Sequence, residues 1–156
     1  MTLTKRNLEN VFVFLLLGCL FVTLAAPGNA QNDEHATVRR VVDQFFAAFQ
    51  QKDLTGVMAL WNDKSPDFVA GRQNVQQAFA TYHKIELKNL QLNKITVETN
   101  NAIVQLVAEL SVVGTQANAS PTPLQMIRTI HMVKDTGDWK ISKYMTREDE
   151  FAEKLV

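Results

Sequence analysis

The stretch AIVQLVAELSVV, from Ala102 to Val113, is apolar at every even position, while its odd positions include Ile103, Gln105, Val107, Glu109 and Ser111. Successive side chains of a strand point to opposite faces, so this pattern predicts one long strand with one face fully buried. Downstream, Gly114 to Pro123 reads as a polar loop with two prolines. Leu124 to Val133 reads as another strand, Asp135-Thr136-Gly137-Asp138 as a hairpin turn, and Trp139 to Met145 as the last strand. Thr146 would then cap a short charged helix carrying Phe151 and Leu155. Upstream, beyond a turn at Thr99-Asn100-Asn101, the apolar positions switch parity between Leu87 and Leu90 and switch back by Ile95. A strand with bulges or a bend would do that.

Before His83 the period is helical. Val38, Val42, Phe45 and Phe49 recur at i, i+4, i+7 and i+11, which predicts a helix that starts near the caps Asn32 or Asp33 and ends by Gln50. Asp53 caps a second, short helix whose apolar residues run from Leu54 to Trp61. Ser65-Pro66-Asp67 begins a third, whose face holds Phe68, Arg72, Val75, Phe79 and Tyr82. Gly71 within it costs about 1 kcal/mol relative to alanine. Helices first and an antiparallel meander after them define an α+β domain, N-terminal helices packed on a curved antiparallel sheet of about four strands.

Residues 1–30 read as a signal peptide preceding this domain, which occupies residues 31–156. Lys5 and Arg6 are followed by an apolar run of 16 residues from Val11 to Ala26, short for a spanning helix of about 20. Gly28 and Ala30 put small residues at the −3 and −1 positions of a cleavage site after Ala30. The expected protein is exported, periplasmic or secreted, with no membrane association once the leader is removed. A lipoprotein anchored through Cys19 is the lesser variant, because Leu17 is a poor lipobox residue and Leu20-Phe21-Val22 is no polar tether. Cleavage would remove the only cysteine, leaving no disulfide and no thiolate metal ligand. Sixteen basic residues balance sixteen acidic ones, so no field gathers a polyanion and nucleic acid is not an expected partner.

Three segments together resemble the nuclear transport factor two-like superfamily, the cone fold shared with ketosteroid isomerase and SnoaL-like cyclases. They are FFAAFQQKDLTGVMALW (Phe45 to Trp61), GRQNVQQAF (Gly71 to Phe79) and RTIHMVKDTGDWKIS (Arg128 to Ser142). The resemblance implies a conical pocket between helices and sheet, and often a homodimer through the outer sheet face. It implies no activity, since function lives in the site. Isomerase-type members use a tyrosine on the first helix and an aspartate on a short strand. Here those positions fall on Phe45 and near Val69, neither of which can perform that chemistry.

Other chemistry is sparse. His35, His83 and His131 are dispersed, with no acid at metal-ligand spacing, so no metal or cofactor is expected. Ser65 and Ser120 lie in loops without a nucleophile context. Arg128 shares a strand face with Leu124, Met126, Ile130 and Met132. It either grips an anionic or carbonyl group in the pocket, or reaches water or one of Asp43, Asp63 and Asp67. Trp61, Tyr82 and Met126 are further pocket candidates that plain core packing would equally explain. Ile103, Val107 and Val113 are candidate dimer-face residues, more apolar than a solvated strand face needs. The reading is an exported non-catalytic binding or scaffold module for a small apolar or anionic ligand or a protein partner. The alternative is a SnoaL-like isomerase, cyclase or dehydratase using Asp67, His83 or Arg128.

Overall fold

In a computed structural model, which describes residues 28–146 and 148–149, the even positions from Ala102 to Val112 are all buried. They belong to β2 (Asn101–Gly114), which pairs antiparallel with β1 (Tyr82–Glu98) and β3 (Thr122–Asp135). The fourth strand, β4 (Asp138–Thr146), completes an antiparallel sheet of order β1-β2-β3-β4. The parity switches of β1 are register shifts against β2, at Leu87/Asn89 and Leu92/Lys94. Between β3 and β4, Thr136 and Gly137 both have positive φ, 48° and 100°, the backbone that a tight hairpin turn requires.

Three helices precede the sheet: α1 (Gly28–Gln50), α2 (Leu54–Ala59) and α3 (Phe68–Thr81). Both α1 and α3 contact β1 and β4. Val38, Val42 and Phe46 of α1 meet Val104, Leu106, Ile130, Met132 and Ile141 of the sheet in one cluster that excludes water. Burying each such side chain contributes about 1.5–3 kcal/mol, and this periodic face holds the helix down. The start of α1 is also tied to the hairpin. The Glu34 carboxylate accepts from Trp139 Nε1 at 2.6 Å and from Lys134 Nζ, which lies 5.6 Å from the centroid of the Trp139 ring.

Several local expectations are corrected. Asn32 and Asp33 do not cap α1; the helix runs through both from Gly28, and Thr37 Oγ1 donates to the Asp33 carbonyl. Asp53 does cap α2, its carboxylate accepting from Gly56 N at 2.9 Å, but the helix stops at Ala59. There the edge of β4 takes over the backbone: Ile141 N donates to Leu60 O and Asn62 N donates to Ile141 O, each at 2.8 Å, in a parallel bridge centred on Trp61. Arg72 leaves the apolar stripe of α3 and is exposed, since a helix offers one buried face and Gly71 and Val75 occupy it. Thr146 and Asp149 form a reciprocal cap, Thr146 N donating to Asp149 Oδ2 at 2.8 Å and Asp149 N to Thr146 Oγ1 at 3.2 Å. Residues 1–27 of the expected signal peptide, with Cys19, and residues 150–156 of the expected terminal helix lie outside the described residues.

Candidate functional site: a cavity between α1, α3 and the sheet

A cavity of about 700 Å³ opens between α1, the Trp61 bridge, α3 and the end of the sheet formed by β3 and β4. Its apolar wall is aromatic. Phe45 of α1 stacks on Tyr144 of β4 with centroids 5.5 Å apart, and on Phe49 at 6.0 Å. Trp61 supplies a fourth aromatic surface and Met126 a flexible thioether.

The polar groups converge from three directions. Arg128 sits with its guanidinium carbon 5.7 Å from the centroid of the Tyr144 ring, and Nη1 donates to the Ile127 carbonyl at 2.8 Å. Burial pushes the Tyr144 phenol up to about 12, against the opposing charge and hydrogen bond of Arg128. A phenol in that state is a hydrogen-bond donor throughout the physiological range. Trp61 is 5% exposed, and its indole N–H is buried with no hydrogen-bond partner among the described residues. Asp67, at the start of α3, and Asp149 also line the cavity. Hydrogen bonds from the Thr146 hydroxyl and backbone N–H hold the Asp149 carboxyl below its usual range.

Gly71 explains how Trp61 fits. A Cβ at position 71 would come within 2.4 Å of Trp61 Cη2 and 2.8 Å of Cζ2, closer than carbon atoms approach. The helix can lie on the indole only because residue 71 has no side chain. The cost of glycine inside α3 is therefore offset by a close approach that shapes one wall of the cavity.

Trp61, Met126 and Arg128, named from sequence, thus come together around the cavity. Tyr82 does not. It stands at the junction of α3 and β1 against Ile85, Leu110 and Val112, and its carbonyl accepts from Lys52 Nζ at 2.7 Å. No ion pair joins Arg128 to Asp43, Asp63 or Asp67 among the described residues, and Asp43 instead lies 3.9 Å from Arg39. Phe45, expected at the isomerase tyrosine position, lines the cavity, and Val69, expected near the aspartate position, is 63% exposed on α3. His83 is exposed on β1 and does not line the cavity. Among the described residues no group of three or more His, Cys, Asp or Glu could hold a metal ion.

Sequence reasoning missed Tyr144 and Lys143. Tyr144 faces inward because the register between β3 and β4 shifts at His131/Met132, which moves the inward parity from Ile141 to Tyr144. The signal was the apolar run Trp139, Ile141, Tyr144, whose spacing breaks strict alternation at one step. On the outer sheet face Ile103 is 39% exposed, while Val107 and Val113 are half-buried. Val107 lies directly across from Ile127, which is 42% exposed and was not among the residues expected there.

Solved structures share this architecture. A protein of the NTF2-like family from Streptomyces avermitilis, proposed as a dehydratase, superposes with a TM-score of 0.59 at 12% identity, over 72% of this chain and 94% of its own. A proposed scytalone dehydratase from Novosphingobium aromaticivorans gives 0.61 at 14%, over 75% and 85%. A conserved protein from Planctomyces limnophilus gives 0.63 at 13%, over 72% and 94%. No curated protein matches the sequence. The fold is the NTF2-like α+β cone, with the cavity at its interior. Residues 40–151 match the family model described as the anti-sigma-I factor RsgI9, C-terminal domain, and the chain belongs to that family.

Proposed function

We propose that the domain is an exported, non-catalytic binding module that holds a small, largely apolar molecule in its cone and pairs with a second copy through the outer sheet face. The observation that carries this reading is the cavity itself, about 700 Å³ with an aromatic wall of Phe45, Phe49, Trp61 and Tyr144, and with Asp67, Arg128, Lys143 and Asp149 among its other lining residues. That volume and composition suit a ligand of drug-like size. The family is named for a domain of an anti-sigma factor, a protein whose name describes regulation rather than turnover. A polar side chain is lacking at Phe45 and Val69, the positions that correspond to the catalytic tyrosine and aspartate of isomerase-type members of the superfamily, which further supports binding over acid–base chemistry. The export part of the reading rests on the leader pattern at residues 1–30.

The enzyme alternative keeps one supporting observation, that Asp67 and Arg128 line the same cavity. Titration with the neutral fluorophore N-phenyl-1-naphthylamine tests the proposal. Saturable one-to-one binding, abolished by Ala78→Trp in the cavity wall while the melting temperature holds, is the expected result. A wild-type protein that binds none of it contradicts the reading.

A further inference from the structure

We infer that the cone selects a ligand with an aromatic body and a carboxylate, held by Arg128 and the Tyr144 hydroxyl, which line the cavity side by side. This rests on the proposed binding role and names the chemistry the site recognises. A guanidinium carries five N–H donors and no acceptor. The Tyr144 phenol hydrogen-bonds with Arg128, which can only donate to it, so its own proton remains to be given. The described partners of Arg128 are the Ile127 carbonyl and Tyr144, which leaves guanidinium donors for a further acceptor.

Trp61 closes the apolar wall beside these donors: its ring lines the cavity and its Cζ2 edge lies against Gly71, another lining residue. The segment cannot readily turn away, because its backbone is bridged to Ile141 on both sides. Of the carboxylates already there, Asp149 hydrogen-bonds with Thr146 and feels the charges of Arg128 and Lys143, but neither it nor Asp67 forms an ion pair with Arg128 among the described residues. A carboxylate is the acceptor whose geometry matches a guanidinium, and the aromatic wall takes the apolar remainder.

The test compares 2-naphthoate with 2-methylnaphthalene, which has the same ring system and no acceptor. Binding is followed by the indole N–H signals in proton–nitrogen NMR. The chain has two tryptophans, and Trp139 already donates to Glu34, so it serves as the internal control. The expected result is that 2-naphthoate binds at least about tenfold more tightly, the gain of one charge-assisted hydrogen bond. The Trp61 signal, assigned with Trp61→Phe, shifts as either probe fills the cavity its ring lines, while that of Trp139 stays. Arg128→Met and, independently, Tyr144→Phe reduce the preference and keep 2-methylnaphthalene binding. Equal affinity for the two probes, or a preference that survives Arg128→Met, overturns the carboxylate inference and leaves the apolar binding role standing. Failure of both probes to bind overturns the inference and the proposed function together.

Discussion

The indole of Trp61 fills the space in which a side chain on Gly71 would stand: a Cβ there would meet Cη2 at 2.4 Å. The atom in the way is a ring carbon of a residue that is 5% exposed, with backbone bonds on both sides, so it cannot move aside easily. Gly71→Ala should therefore lower the melting temperature. Overpacking of a filled site costs about 1–3 kcal/mol, whereas the helix gains only about 1 kcal/mol from losing a glycine. A more stable alanine variant would show that the indole has room to retreat and that the cavity wall is soft.

Arg128→Met should leave folding intact. The guanidinium has no ion pair with Asp43, Asp63 or Asp67, and its neighbours along the strand face, Met126 and Ile130, are apolar. Replacing a half-buried cation by an apolar chain of similar volume should leave the melting temperature unchanged or raise it. Calorimetry decides it. A large loss of stability would make Arg128 a structural member of the β3–β4 pair rather than a ligand group.

The clasp of Glu34 to the hairpin should be sensitive to acid. Hydrogen bonds from Lys134, then Trp139, hold the Glu34 carboxyl below its ordinary value of 4.5, against the effect of burial. A carboxylate depressed in the folded state stabilises above its unfolded pKa, and that contribution disappears as pH falls through the folded value. The melting-temperature gap between wild type and Glu34→Gln should be open at pH 7 and close below pH 4.5. A gap that is constant over that range would mean the clasp acts through shape and not charge.

The proposed dimer predicts that Val107→Lys shifts the protein towards monomer in sedimentation. Val107 faces Ile127 across β2 and β3, with Ile103 exposed on the same face, so a charge enters the middle of the apolar patch. An unchanged dimer, or a wild type that is already monomeric, contradicts the proposal.

Much of the fold was legible because burial writes periods into sequence. The even positions of β2 could lie on one face only, and the parity switches of β1 marked its bulges before any register was known. The site was less legible, because it depends on contacts between segments far apart in the chain. Trp61 continues a helical apolar pattern, yet β4 draws its backbone into a bridge with Ile141, far along the chain. Tyr144 turns inward through a register shift at His131/Met132, a single offset whose only trace on β4 is one broken step of alternation between Ile141 and Tyr144. Tyr82 shows the converse. It extends the face of α3 by spacing, but the chain becomes β1 there, and the ring goes to a separate cluster.

The central claim is that the cone holds a small molecule and does not transform it. Native mass spectrometry of protein gently purified from its own cells tests this most directly. The account predicts a noncovalent adduct of one small molecule per chain, absent when Ala78→Trp obstructs the cavity that Ala78 lines, and released with the same mass after prolonged incubation. A chain that emerges empty, or an adduct that leaves with an altered mass, would contradict it.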